Sequence, residues 1–516
     1  MREGNIMMTI GGDFRWYNAN LAYKNWDKLI YHVNRLHGDK VNVMYSTPAC
    51  YTKARHESNL TWTVKTDDFM PYTDAAGGKY ETGYFTSRPG FKGYVWDTNP
   101  VLQMCHQLNL RSSIDGDDAE FELARAFGVA QHHDGISGTE RQHVVDDYSK
   151  SLASGRHACQ NFSTLALNEL YGTPQEAIVC EYLNVTICNA TVDALDFTIG
   201  IYSPASHSFS QPVVIPVNNS NYYVTDGTNN PVLFDIILVS DITKNIRRNR
   251  GQSKYELRFL ANTKPFDLVT YNLKVKNSGS NVRPTVRKNQ TDWITTLSNE
   301  HLNLTFNEAG LVSINDLPVQ NQLMYFNSSQ GYGQNSGAYI FRPNSSEPIE
   351  INAKPEICIT YGQSYRSAIV SWDKWASQEY KLWNGAPYVE VEWSVGPIPI
   401  NDTCSWNSTG CHWGKEVISR YTSAINNTDG AKRYVELSSV VSDCTILQYI
   451  FRPVCYTDSS GRNTLKRVKD FRPTWKINTE EAETAVAGNY YPINSRIGIN
   501  GSTLTSNNAS LTILGK

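Results

Sequence analysis

The feature that most constrains the fold is a change in sequence pattern near residue 173. Before it, apolar residues recur at the 3.6-residue spacing of amphipathic helices. After it, short runs of Val, Ile, Tyr and Thr alternate with clusters of Asn, Gly, Ser and Pro, which predicts antiparallel β-sandwich layers. The sequence thus predicts a multidomain α+β protein: the C-terminal part of an α/β domain over 1–75, a three-helix bundle over 76–172, and β-sandwich domains over 173–516.

Length and charge bound the function. A chain of 516 residues is too long for one domain, and 40% hydrophobic residues supply ample core. The net charge of −3 and a pI near 6.4 give no electrostatic case for binding nucleic acid or an anionic membrane. No run of 18 apolar residues occurs, so no membrane span is expected.

The first 75 residues have a strand–helix–strand pattern. Ile6 to Ile10 is a short apolar run, Asn18 to Gly38 has helical spacing, and Val41 to Tyr45 is a second apolar run. One such unit cannot build a sheet, so we interpret it as the end of a larger α/β domain.

Three helices are expected next, over Asp97 to Leu110, Ala119 to Val129 and Thr139 to Ala158. Thr139, with Gln142 three residues later, resembles a capping box at the start of the third helix. The strand pattern then appears at Val213 to Val217, Val232 to Val239, Tyr255 to Leu260, Leu268 to Val275, Leu302 to Phe306, Ala368 to Trp372 and Tyr388 to Trp393.

Asparagine sequons and cysteines indicate the compartment. The Asn-x-Ser/Thr sequons begin at Asn59, Asn161, Asn184, Asn189, Asn218, Asn289, Asn303, Asn327, Asn344, Asn401, Asn407, Asn426, Asn500 and Asn508. With 10 cysteines they favour a glycoprotein of the lysosome, the secretory pathway or the extracellular space. The first residues lack the apolar core of a signal peptide, so we expect that the natural N-terminus is missing from this sequence.

The most chemically distinctive motif is Gln131 to Thr139, which places His132, His133 and Asp134 side by side. Imidazoles and a carboxylate are what a zinc site or an acid/base site needs. A His-His-Asp triplet is also common without either role.

Asp67 and Asp68, before Phe69, form a second candidate site. One of two adjacent carboxylates beside aromatic rings can act as a general acid, although the pattern alone favours two solvated aspartates in a polar loop. The stretch Thr82 to Pro89 follows, and its arginine and aromatic rings either orient a polyol or pack a helix N-terminus.

Several blocks together resemble the α-mannosidases of glycoside hydrolase family 38, particularly those of the lysosomal acid type. The blocks are Tyr45 to Tyr51, Asn59 to Trp62, Asp67 to Phe69, Thr82 to Pro89, Gln131 to Thr139, Ser336 to Asn344, Glu392 to Pro399, Trp413 to Val417, Arg472 to Trp475 and Ala487 to Pro492.

This resemblance implies retaining hydrolysis of α-linked mannose in N-glycans and related oligosaccharides, with Zn²⁺ bound at the sugar. It makes His133 a zinc ligand, Asp134 and Tyr339 substrate contacts, and Asp68, rather than Asp67, the acid/base residue. Two carboxyls about 5 Å apart serve such a reaction. Whether the protein forms a homodimer is left open.

The resemblance also implies what this chain lacks. We find no block that matches the family's His-x-Asp zinc pair or its nucleophilic aspartate, and Cys50 has no partner corresponding to the family's. Cys105–Cys159 and Cys180–Cys188 are the implied retained disulfides. The alternative to an enzyme is therefore an incomplete chain or pseudoenzyme that at most binds carbohydrate.

Two inserts depart from the family pattern, near 404–412 and 431–455. They are either surface loops or translated non-coding sequence. Their cysteines, Cys404, Cys411, Cys444 and Cys455, are poorly spaced for a zinc site.

Overall fold

The computed structural model describes residues 4–73, 79–174, 177–248, 250, 253–276, 287–289, 294–329, 335–399, 414–425, 433–438, 441–443, 454–474, 486–501, 503 and 509–515. Two compact units divide the chain, Met1–Asp68 and Phe69–Lys516. The 404–412 insert lies outside the described residues, and so does most of 431–455.

The described residues of the first unit form two helices, α1 (Ala19–His37) and α2 (Pro48–Glu57). The expected helix after Asn18 is confirmed, and the Asn18 side chain accepts a hydrogen bond from the N–H of Leu21. Thr47 caps α2 in the same way. Neither helix contains a buried side chain.

The two strands expected in the first unit are absent from its described residues. Ile6 to Ile10 and Val41 to Tyr45 have no assigned strand, because no neighbouring segment of the unit forms a ladder with them. The backbone of Val43 instead exchanges two hydrogen bonds with the side-chain amide of Asn34, at 2.7 and 2.8 Å. The strand prediction is wrong for this unit.

The second unit begins with three packed helices: α3 (Pro89–Arg111), α4 (Asp117–Ala130) and α5 (Gln142–Tyr171). Their core contains Leu108 and Leu123, both fully buried, beside the disulfide Cys105–Cys159. All three helices are longer than predicted, and the stretches that the prediction missed also contain buried residues, such as Phe91 of α3 and Phe162 of α5. Two short helices follow, α6 (Asn189–Val192) and α7 (Asp241–Arg247).

The remaining described residues form antiparallel sheets. The strands are β1 (Asp196–Tyr202), β2 (Ser210–Val217), β3 (Tyr222–Asp226), β4 (Phe234–Leu238), β5 (Tyr255–Asn262), β6 (Leu268–Val275), β7 (Arg287–Asn289), β8 (Ile294–Ser298), β9 (Asn303–Asn307), β10 (Gly310–Ile314), β11 (Leu317–Asn327), β12 (Ile349–Glu350), β13 (Glu356–Tyr361), β14 (Tyr365–Asp373), β15 (Ala376–Trp383), β16 (Glu390–Val395), β17 (Lys415–Ser423), β18 (Arg433–Ser438), β19 (Val441–Asp443), β20 (Val454–Ser459), β21 (Asn463–Val468), β22 (Tyr490–Pro492), β23 (Arg496–Gly501) and β24 (Ala509–Leu514).

These strands pair into five sheets. β1-β6-β3 packs on β2-β5-β4, and β16-β15-β14-β13-β7 packs on a larger sheet. That sheet runs β22-β19-β18-β17-β11-β10-β9-β8, with β12 beside β11. The last sheet is β21-β20-β23-β24. The predicted mixture of helices and antiparallel sheets is confirmed, while the boundaries at residues 75 and 172 stay predictions.

One apolar cluster joins the start of the second unit to the large sheet. Tyr80 and Phe85 are buried against Phe326 of β11 and Ile418 of β17. Because Phe85 precedes α3 by only a few residues, this cluster fixes the N-terminal end of the helical layer on the β domain.

Candidate functional site

The His-His-Asp motif lies in the turn between α4 and α5. Helix α4 ends at Ala130, and the N–H of His132 still bonds to the carbonyl of Val129 at 3.0 Å. The N–H groups of Gly135 and Ile136 then both bond to the His132 carbonyl, at 2.7 and 3.1 Å. These bonds hold the turn in one compact loop that exposes both histidine side chains, while Ile136 packs against the helical core.

Three potential ligand atoms converge on this turn. One nitrogen each of His132 and His133 and one carboxylate oxygen of Asp134 all lie within 4.8 Å of one another. Nε2 of His132 is 3.6 Å from Oδ2 of Asp134, and the two imidazole rings are 4.3 Å apart between centroids. Both histidines are exposed and Asp134 is partly buried, so a ligand can reach the group from solvent.

The donor set fits part of a zinc site. Ligand atoms on a tetrahedral zinc stand about 3.4 Å apart, which follows from bonds of about 2.1 Å, so small side-chain rotations would suffice. Nitrogen and carboxylate oxygen are both accepted zinc ligands. The sequence resemblance selected His133 alone as ligand, whereas the structure adds His132 to the group.

The hydroxyl group of Thr139 orients Asp134. Thr139 donates to Oδ1 of Asp134 at 2.8 Å, and Oγ of Ser137 lies 2.9 Å from the Thr139 hydroxyl. Ser137 also donates to the carbonyl of His133. The expected capping box is therefore wrong: the N-cap of α5 is Arg141, which makes no side-chain cap bond, and the Thr139 hydroxyl bonds to Asp134 instead.

Tyr339 lies on a loop that contacts the segment before α3. Its carbonyl accepts the N–H of Gly83 at 3.0 Å, and its side chain is 45% exposed. Gly83 has to be glycine, because a Cβ there would stand 2.5 Å from the carbonyl oxygen of Gly337. Because its side chain is 45% exposed, Tyr339 can contact a ligand from solvent.

The Thr82 to Pro89 segment joins this loop to the His-His-Asp turn. Oγ of Ser87 donates to the carbonyl of Ala338 at 2.9 Å. On its other side, the Ser87 carbonyl would be 2.4 Å from a Cβ on Gly138, where φ is +77°. Of the two interpretations of this segment, its contacts favour packing a helix N-terminus.

Arg88 supports that choice. Its guanidinium donates to the carbonyl of Glu140 and to the side chain of Gln142, both at 2.8 Å. Tyr84 packs beside Phe85 in the apolar cluster with β11 and β17. These groups hold the start of α5 and the sheet together.

Asp67 and Asp68 belong to the first unit, and the other candidate residues belong to the second. Asp67 accepts a bond of 2.6 Å from Lys65 and is partly buried. Asp68, also partly buried, is the last residue of its unit. The role of Asp68 as acid/base stays a prediction, as do those of His133, Asp134 and Tyr339.

The cysteines divide as the resemblance implied. Cys105–Cys159 and Cys180–Cys188 are disulfides, and Cys50 is a free, exposed thiol. Cys455 is also disulfide-bonded. Cys404, Cys411 and Cys444 lie outside the described residues.

Sequence patterns missed Lys92, which lies on the first turns of α3. Its ammonium donates to the carbonyls of Ser87 and Ile136, each at 2.6 Å. Burial lowers the pKa of Lys92 to about 8, opposed by the nearby carboxylate of Glu140. A single lysine in a helix gives no sequence pattern that would indicate hydrogen bonds to two distant backbone carbonyls.

Family models match two parts of the chain. Residues 297–514 match the glycosyl hydrolases family 38 C-terminal domain, and residues 79–170 match the alpha mannosidase middle domain. The chain belongs to glycoside hydrolase family 38. The middle-domain match contains the His-His-Asp turn, and the C-terminal match contains Tyr339.

Named relatives agree with this family. Lysosomal alpha-mannosidase of Homo sapiens is 36% identical over 538 residues, which is 99% of this chain and 48% of the relative. Alpha-mannosidase of Canavalia ensiformis is 30% identical over 540 residues, 96% of this chain and 50% of the relative. This family 38 chain therefore spans about half the length of the curated relatives it matches.

Among solved structures, an alpha-mannosidase from Enterococcus faecalis V583 covers 92% of this chain and 54% of its own, with 13% identity and a TM-score of 0.49. That likeness is too weak to carry an argument about the fold. Among the helices that the structure describes, none is long and apolar enough to cross a membrane.

Proposed function

We propose that this chain supplies part of a zinc-dependent retaining α-mannosidase that removes α-linked mannose from N-glycans. The observation that carries the proposal is the convergence of His132, His133 and Asp134 within 4.8 Å on an exposed turn inside the matched middle domain. The named relatives favour a lysosomal or secretory compartment, as do the disulfides and sequons.

Each residue has a defined task in this proposal. His133 holds the zinc, which when bound polarises and orients sugar hydroxyls. Asp134, fixed by Thr139, accepts hydrogen bonds from a mannose hydroxyl. Tyr339 presents an exposed ring and hydroxyl to the same sugar. Asp68 gives a proton to the leaving oxygen and later takes one from water, as the acid/base residue of a retaining enzyme does.

The second candidate is a catalytically incomplete chain that binds mannose without hydrolysing it. It is favoured by the sequence, which has no block matching the family's nucleophilic aspartate or its His-x-Asp zinc pair. For the 516 residues alone we expect this second outcome, with the hydrolase activity belonging to a protein that also contains those groups.

The test assays the 516-residue chain with Zn²⁺ on a chromogenic α-mannoside, with the β-mannoside and the α-glucoside as matched controls. In parallel, NMR titration measures binding of methyl α-mannoside. The incomplete chain should give no turnover but a mannoside affinity that Asp134→Ala and Tyr339→Ala both weaken.

Turnover with retention of the anomeric configuration, abolished by His133→Ala, would contradict the expectation that this chain is catalytically incomplete. It would support the proposal that the chain is an α-mannosidase. A chain that neither hydrolyses nor binds α-mannosides would contradict the whole proposal.

A further inference from the structure

Three backbone segments from distant parts of the second unit meet beside α3. They are the Gly83 to Ser87 segment, the 132–138 turn and the 336–340 loop. The first is joined to the third by the Gly83 N–H and the Ser87 hydroxyl, at 3.0 and 2.9 Å. Among the described residues, no backbone–backbone hydrogen bond joins the first segment to the 132–138 turn.

Lys92 supplies that missing connection. Its single ammonium donates to the carbonyl of Ser87 on one segment and to the carbonyl of Ile136 on the other. Both distances are 2.6 Å, at the short end for charge-assisted hydrogen bonds. A lysine ammonium has three protons, and Lys92 donates two of them, one to each segment.

The surroundings of Lys92 are those of a partly desolvated charge network. Glu140, whose side chain is 3% exposed, lies 3.6 Å from the guanidinium of Arg88 and interacts with Lys92. The carboxylates of Glu140 and of Glu416, on β17, both raise the pKa of Lys92. The positive charge of Arg88 lowers it. The lysine is therefore stabilised by carboxylates near the start of α5 and on the large sheet, against the positive charge of Arg88.

We propose that Lys92 is a positioning residue that, through Ser87 and Ile136, fixes the turn carrying His133 and Asp134 relative to the loop carrying Tyr339. Its relevance to mannose binding rests on the proposed function, whereas its geometric role does not. Without the ammonium, the two segments would lose a side chain that donates to both.

The test is amide hydrogen exchange, resolved by peptide, on the full 516-residue chain. The variants are Lys92→Met, which keeps the apolar stem, Lys92→Arg, which keeps the charge and donors, and Lys150→Met, which changes an exposed lysine of α5. Lys92→Met should speed exchange about tenfold at residues 83–87 and 131–140, as expected for the loss of charge-assisted hydrogen bonds. Exchange within α4 and the centre of α5 should stay unchanged, and Lys92→Arg should keep the protection.

Two results would overturn the proposal: unchanged exchange in both segments of Lys92→Met, or equally faster exchange across all three helices, which would indicate ordinary fold stabilisation. Methyl α-mannoside titration of the same proteins separates the two proposals. If the unmodified chain fails to bind mannoside, the proposed function fails, while the exchange data still decide the role of Lys92.

Discussion

The hydroxyl of Thr139 donates a hydrogen bond of 2.8 Å to Oδ1 of Asp134, five residues earlier in the chain. This bond leaves Oδ2 directed toward His132, at 3.6 Å from its Nε2. The orientation of the Asp134 carboxylate is thus set by the turn before any ligand arrives.

Thr139→Val should weaken methyl α-mannoside binding about fivefold, because one hydrogen bond of about 1 kcal/mol no longer orients Asp134. Thr139→Ser retains the hydroxyl and should bind like the unmodified chain. NMR titration measures both affinities. Equal affinities for the Val and Ser variants would show that the orientation of Asp134 does not depend on this bond.

The stability contributed at Lys92 should depend on pH in a defined direction. Its pKa is lowered from 10.5 to about 8 by burial, so the folded chain binds fewer protons than the unfolded chain between those values. Folding is therefore favoured increasingly as pH rises through that window. The melting temperature of the unmodified protein, minus that of Lys92→Met, should rise from pH 8 to pH 10.5. A flat or falling difference would contradict this.

The disulfide Cys105–Cys159 should contribute strongly to the helical layer. It closes a loop with a sequence separation of 54, for which the chain-entropy relation gives about 4 kcal/mol. Replacing both cysteines by alanine should lower the thermal midpoint of the helices, followed by circular dichroism and by exchange over residues 89–171. The matched control removes Cys180–Cys188, whose separation of 8 gives only about 2.5 kcal/mol. A larger effect in the control would refute the entropic account.

Asp458 anchors the last sheet. It is 1% exposed, and its carboxylate accepts backbone N–H groups, including those of Ser495 at 3.0 Å and Gly461 at 2.8 Å. Burial raises the pKa of Asp458, but these N–H groups outweigh it and hold the pKa below its usual value. The stabilisation is present above about pH 4 and is lost as pH falls through the lowered pKa.

Asp458→Asn should destabilise the last sheet, β21-β20-β23-β24, by about 2 kcal/mol, because an amide nitrogen would then face backbone donors. Amide exchange of β20, β21 and β23, within residues 454–468 and 496–501, should rise accordingly. Asp241→Asn, at a side chain that is 92% exposed, is the control and should change little. Unaltered exchange in the Asp458→Asn variant would show that the backbone contacts do not require the charge.

Residues 4–68 should be the first part of the chain cut by protease. Phe14 is 77% exposed and Tyr17 is 84% exposed, and neither α1 nor α2 contains a buried side chain. With so little apolar burial, local opening of these helices is nearly free. Limited proteolysis of the full chain, followed by mass spectrometry, should cleave here before α3 to α5. Survival of this segment beyond the helical layer would contradict the expectation.

The sequence by itself determined the features that depend on neighbours along the chain. The helix after Asn18 and strand β6 appear within the bounds expected from periodicity, because that periodicity reflects which residues one face of an element buries. The adjacency of His132, His133 and Asp134 is likewise a property of the sequence. The blocks that carry the family resemblance are also local, so the family could be inferred without coordinates.

The tertiary structure decided the features that depend on contacts between distant segments. Thr139 bonds to Asp134 instead of capping a helix, and Lys92 connects Ser87 to Ile136. The same is true of three further features. They are the ends of the helices, the absence of strands among the described residues of the first unit, and the contact between Gly83 and Tyr339. A donor bonds to whichever acceptor packing brings within reach, and spacing along one chain does not encode which segment that will be.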